Sequence, residues 1–137
     1  MKVYKFGGAS VKDAAGIKKL IEIVSEESDN LVIVVSAFGK TTNALEKVLK
    51  AWLGGDEKYS TLLDDVYAGH LLIITDLFGK GSDAEGKIDV SFALLKDFLL
   101  TSVKGQYDYD YDQVVSYGEI WSTIIVVYLT STEPRLI

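Results

Sequence analysis

The chain has no cysteine and only one proline, one histidine and one methionine among its 137 residues. Without cysteine there can be no disulfide, no thiolate nucleophile and no zinc–thiolate site, which fits a reducing compartment. Long apolar runs are missing too: Asp76, Lys96 and Glu119 interrupt the strongest ones, and none reaches the roughly 20 residues that a membrane-crossing helix needs. There is no excess of basic charge. A net charge of −6 argues against attraction to nucleic acid or anionic lipid through the overall field. Met1 to Lys5 carries no charged-then-apolar leader. A soluble, cytoplasmic protein that meets neither membrane nor nucleic acid is expected.

What is present reads as α/β. Hydrophobic residues make up 48% and charged residues 25% of the chain, an ordinary globular balance, so one folded unit over 1–137 is expected. Residues 2 to 6 read as a strand that stops at Gly7-Gly8. From Val11 to about Glu27 apolar residues recur at helical spacing, and Ser10 with Asp13 resembles a capping box. Leu31 to Val35 is a short aliphatic run, which reads as a strand buried on both faces of a parallel sheet. Ala44 to Trp52 predicts a second helix closed by Gly54-Gly55, Ser60 to Phe78 a third, and Ile88 to Leu99 a fourth. The fifth is expected to start at Asp112 as N-cap and to run to about Leu129, with Pro134 forbidding helix beyond. Two strands and five helices are too few strands for a full α/β sheet. The sheet is therefore expected to continue beyond Ile137 or to be covered, and its open edges favour a homo-oligomer.

Three constellations carry chemistry. Lys5-Phe6-Gly7-Gly8-Ala9-Ser10 lies where strand one turns toward a helix. Glycines admit a ligand to the backbone, helix N–H groups point at it, and Lys5 adds a full positive charge, a pattern suited to phosphate. The same residues also fit an ordinary glycine turn with a solvated lysine. Ser36-Ala37-Phe38-Gly39-Lys40-Thr41-Thr42-Asn43 follows strand two, so both loops should open at the carboxyl ends of the strands, where open α/β sheets bind ligands. Its hydroxyls suit a carboxylate or phosphate, while Thr42 or Asn43 also fits a simple helix cap. Val115-Ser116-Tyr117-Gly118-Glu119, with Ser122, places a carboxylate among apolar neighbours. It needs a partner such as a ligand ammonium, unless Glu119 is a surface residue favoured by the helix dipole.

Taken in order, Lys-Phe-Gly-Gly-x-Ser, Ser-Ala-x-Gly-x-Thr-Thr-Asn and Val-Ser-x-Gly-Glu-x-x-Ser resemble the aspartate kinases of the amino acid kinase family. The resemblance implies the N-terminal part of the amino acid kinase (carbamate kinase-like) three-layer fold, with parallel strands, a large helical portion and an incomplete sheet. It implies transfer of the γ-phosphoryl of ATP, with Mg²⁺, to the β-carboxylate of L-aspartate, the entry to lysine, threonine and methionine. By that resemblance Lys5 is the catalytic residue and contacts ATP phosphates, and Gly7, Gly8 and Ser10 cradle them. Ser36, Ala37, Thr42 and Glu119 line the aspartate site, and no residue of the chain is a metal ligand. The family's second glycine-rich motif, the arginine and aspartate of its substrate site, its nucleoside pocket and its ACT domains have no counterpart here. The chain is thus expected to be inactive alone. Two rival readings are a noncatalytic scaffold that kept half the fold and a kinase for acetylglutamate, glutamate, carbamate or a nucleotide.

Other features carry less. Gly81 to Lys87 approaches a P-loop, but Ile88 stands where a hydroxyl must hold Mg²⁺; Gly39-Lys40-Thr41 lacks the earlier glycine, replaced by Val34. His70 on an apolar helix face reads as a core or boundary residue. Asp108, Asp110 and Asp112 lack the spacing of a calcium loop and read as a solvated loop with a helix cap.

Overall fold

The computed structural model describes residues 1–132. Two parallel strands, β1 (Lys2–Phe6) and β2 (Leu31–Val35), flank helix α1 (Ala14–Ser25) in the chain; α2 (Thr41–Leu53), α3 (Lys58–Phe78), α4 (Asp83–Thr101), α5 (Tyr107–Val115) and α6 (Tyr117–Thr130) follow. The strands pair in register from Lys2 opposite Leu31 to Phe6 opposite Val35. The strand–helix–strand unit is thus as expected.

Helix periodicity explains the packing. In α1, Ile17, Leu20, Ile21 and Val24 fall on one face and are buried, and in α2 Leu45, Val48, Leu49 and Trp52 repeat the spacing. These faces join Val114, Trp121 and Ile125 in one hydrophobic cluster. Each such aliphatic side chain, taken out of water, contributes roughly 1.5–3 kcal/mol before entropy is counted. The two indoles are buried with their N–H groups satisfied: Trp52 Nε1 donates to the Leu99 carbonyl at 2.7 Å and Trp121 Nε1 to Ser91 Oγ at 2.9 Å.

Several expectations need correction. β2 is not buried on both faces. Its exposure alternates, leaving Val32 and Val34 each 44% exposed beside Val3 of β1, while Leu31, Ile33 and Val35 pack inward. One face of the ribbon is therefore uncovered among the described residues. The cap of α1 is Asp13, whose Oδ1 accepts from Gly16 N at 2.8 Å, and not Ser10. Asp112 caps nothing, because the Tyr–Asp run is itself helix α5. Asp108 and Asp110 occupy its first turn, where the helix dipole favours acids, and Asp110 is buried, accepting from Gly105 N at 3.3 Å. The last helical stretch is therefore two helices meeting at Ser116. Helix α4 starts five residues earlier than Ile88, capped by Ser82 Oγ accepting from Glu85 N at 3.1 Å. Its first turn takes up the near-P-loop. Pro134 lies outside the described residues.

Candidate functional site

The chain leaves β1 through Gly7-Gly8 and folds back at once. Ser10 N donates to Gly7 O at 3.0 Å and Val11 N to Gly8 O at 3.3 Å. Helix α1 begins only at Ala14, so the glycines sit one turn ahead of it. The amides of Ser10 and Val11 are thereby consumed, whereas those of Gly8 and Ala9 donate to no described group. Lys5, at the end of β1, and Lys12, ahead of α1, are both exposed.

The β2–α2 loop lies directly against this turn. Ser36 N donates to Phe6 O and Gly39 N to Gly8 O, both at 3.0 Å. A Cβ on Gly8 would stand 2.9 Å from the carbonyl oxygens of both Ala37 and Gly39, a separation that carbon and oxygen do not tolerate, so glycine is required by close approach. Helix α2 opens without a side-chain cap, so neither Thr42 nor Asn43 serves as one. The Thr41 hydroxyl turns back to donate to Phe38 O at 2.6 Å, while Thr42 remains half-buried in the first turn.

The third segment reaches the same loop from the other side. Gly118, in the first turn of α6, packs so closely that an added Cβ would meet Ala37 Cβ at 2.9 Å and Thr41 Cγ2 at 3.4 Å. Ala37 is thus held between Gly8 and Gly118. That role of Gly118 was missed in the sequence, although a glycine placed inside a helix, where it costs about 1 kcal/mol against alanine, was the available signal. Glu119 does not sit in an apolar pocket. It is exposed, without a described side-chain partner, and only its carbonyl is engaged, accepting from Ser122 Oγ at 3.0 Å.

Electrostatics favour an anion at these loops. The ion pairs of the described residues lie elsewhere, at Lys2 with Glu27 (2.8 Å) and Asp29 (3.7 Å) and at Lys96 with Asp64 (2.8 Å). Lys5, Lys12 and Lys40 have no contacting carboxylate among the described residues. No group of three acidic, histidine or cysteine side chains suited to a metal occurs among the described residues. No described helix is long and apolar enough to cross a membrane.

A family model described as "Amino acid kinase family" matches residues 1–132. Among curated relatives, a chloroplastic bifunctional aspartokinase/homoserine dehydrogenase of Daucus carota is 29% identical over 93% of this chain and 14% of its own length. An aspartokinase of Chlamydia trachomatis is 31% identical over 92% of this chain and 27% of its own. The chain thus spans between about a seventh and a quarter of these relatives. Of solved structures, E. coli aspartokinase III in complex with aspartate and ADP superposes with a TM-score of 0.81 at 23% identity, over 96% of this chain and 29% of that one. Clostridium acetobutylicum aspartate kinase gives 0.76 at 21% identity, over 94% and 29%. At such identities the superpositions establish the fold.

Proposed function

The chain belongs to the amino acid kinase family, and from that premise we propose that residues 1–137 are the N-terminal part of the catalytic domain of an aspartate kinase. The whole protein would transfer the γ-phosphoryl of ATP to the β-carboxylate of L-aspartate in the cytoplasm. The observation that carries this reading is the meeting of three separate segments at Ala37, where a Cβ added at Gly8 or at Gly118 would stand only 2.9 Å from the β2–α2 loop.

The division of labour follows from charge and position. Lys5, with the free amides around Gly7 and Gly8, holds the phosphates and offsets charge during transfer, with Ser10 on the same turn. Ser36, Ala37 and Thr42 hold the aspartate carboxylates, and the exposed Glu119 selects an amino acid by pairing with its ammonium. An aspartate carboxylate, of pKa near 4, is ionised at neutral pH and needs no general base. Catalysis is then positioning of two anions and neutralisation of their repulsion. Mg²⁺, as co-substrate with ATP in the whole enzyme, would supply neutralisation of the triphosphate charge. Residues 1–137 alone bind phosphate or aspartate weakly and do not turn over, and the open strand edges favour a homo-oligomer.

The test is an ATP-dependent aspartyl phosphate assay on the product of the native reading frame, with Lys5→Ala and Glu119→Ala beside it. Turnover lost in both variants supports the assignment. A native product ending near Ile137 without turnover points instead to a noncatalytic scaffold.

A further inference from the structure

Of the hydroxyls in and beside the β2–α2 loop, Ser36 and Thr42 are half-buried and are assigned above to aspartate, whereas Thr41 is 9% exposed and has no role so far. Its backbone N and its Oγ1 both donate to the Phe38 carbonyl, at 3.0 and 2.6 Å. A carbonyl has two lone pairs, so the turn from Phe38 to Thr41 is closed twice over. Hydroxyls that bond a carbonyl three or four residues back are common, and Ser25, Thr101, Ser122 and Thr130 do so within their own helices, at exposed or partly buried positions. Thr41 differs in two ways. Its bond is buried, and the carbonyl it holds belongs to the loop ahead of α2 and not to the helix.

The opposite side of the side chain is fixed as well. A Cβ on Gly118 would stand 3.4 Å from Thr41 Cγ2, so the methyl lies against the first turn of α6. A β-branched residue has few χ1 rotamers, and with the methyl so placed the hydroxyl is held toward Phe38 O. Ser36 follows β2 on one side of this turn, and Thr42 stands in the first turn of α2 on the other. Between them Ala37 and Phe38 are buried, and Gly39 takes a φ of +54°. How tightly Phe38 is closed onto Thr41 therefore sets the spacing of Ser36 and Thr42.

Resting on the assignment of Ser36 and Thr42 to aspartate, we propose that Thr41 is a positioning residue for the phosphoryl acceptor. Its hydroxyl touches no substrate; it holds the loop in the one closure that lets both flanking hydroxyls meet the same ligand. The phosphate turn is closed by its own bonds, Ser10 N to Gly7 O and Val11 N to Gly8 O. Loss of the Thr41 hydroxyl thus loosens the acceptor side and leaves the nucleotide side in place.

Steady-state kinetics on the whole native product test this. Thr41→Val keeps the branched shape and a methyl toward Gly118 but deletes the donor. The KM for aspartate is expected to rise about three- to tenfold, the net worth of one hydrogen bond. The KM for ATP and kcat stay within about twofold, the pattern of lost ground-state binding. Thr41→Ser keeps the hydroxyl and restores the KM for aspartate to within about twofold of the native value. Thr41→Ala lacks the hydroxyl and adds no atom, so it decides the question if Thr41→Val does not fold. An unchanged KM for aspartate in a folded variant without the hydroxyl overturns the proposal. So does a rise in both KM values together, a loss confined to kcat, or a Thr41→Ser as impaired as Thr41→Val. A native product without aspartate-dependent turnover is a different failure: it removes the kinase reading, and the proposal with it.

Discussion

Replacing Gly118 by alanine tests the clamp on the β2–α2 loop. The new methyl carbon would stand 2.9 Å from Ala37 Cβ, whereas carbon atoms settle at about 3.5–4.0 Å. Neither atom can rotate away, since each is fixed to its own backbone, so helix α6 or the loop must shift by more than half an ångström. Overpacking of this kind costs about 1–3 kcal/mol. Against it stands the helix preference of alanine over glycine, up to about 1 kcal/mol and smaller in the first turn. The net expectation is a loss of about 1–2 kcal/mol, or about 3–8 °C in melting temperature for a chain of this size. Circular dichroism with heat and with urea measures both. The control is Gly69→Ala, within α3, where a Cβ meets nothing within 4 Å; there helix preference acts alone and stability rises by about 0.5–1 kcal/mol. Ala37→Gly added to Gly118→Ala removes the clashing partner and should restore part of the loss, giving a coupling energy by double-mutant cycle. If Gly118→Ala stabilises the chain as Gly69→Ala does, the close approach is refuted.

Other perturbations are sharper in sign than in size. His70 has a folded-state pKa lowered by burial, so its neutral form contributes stability that is complete above the unfolded value of about 6.5 and is lost as pH falls below it toward the folded value. The urea midpoint of the chain should therefore drop between about pH 7 and pH 5 more steeply than that of His70→Gln. Trp52→Phe leaves the Leu99 carbonyl without its donor and should cost about 1–3 kcal/mol in urea unfolding, read from the fluorescence of the one tryptophan that remains. Lys5→Ala and Glu119→Ala change exposed side chains and should alter stability by no more than about 0.5 kcal/mol, so loss of turnover in the native product reports chemistry and not unfolding.

Much of the fold was legible because its signals are local. Gly7-Gly8, the aliphatic run Leu31–Val35 and the four-residue spacing in α1 and α2 each specify an element without reference to the rest of the chain. The failures came where the answer depended on distant partners. A run such as Leu-Val-Ile-Val-Val reads alike whether one face or two are covered, and here Val32 and Val34 remain half-exposed. The Tyr–Asp run looked like loop because aspartate is a poor helix former, yet its acids fall in the first turn, and Val114 and Val115 bury the end of α5. Glu119 was placed among apolar neighbours from sequence adjacency, but Ile120 beside it is itself 42% exposed. The motif residues could be named from their order; that Gly118 touches Ala37 could not, since it joins positions far apart in the chain.

The uncovered sheet has a consequence for how the molecule breathes. Each strand has a single hydrogen-bonded neighbour among the described residues, and one face of the pair, with Val3, Val32 and Val34, is open to water. The amides of β1 and β2 should therefore exchange with deuterium early, whereas those of α2, α4 and α6, buried in the shared core, should exchange last. The two glycine turns and Ala37 stand on the seam between these fast and slow regions. A ligand that bridges the seam would slow the strands without touching the helices, so an exchange experiment would report occupancy as rigidity gained in ten residues of strand.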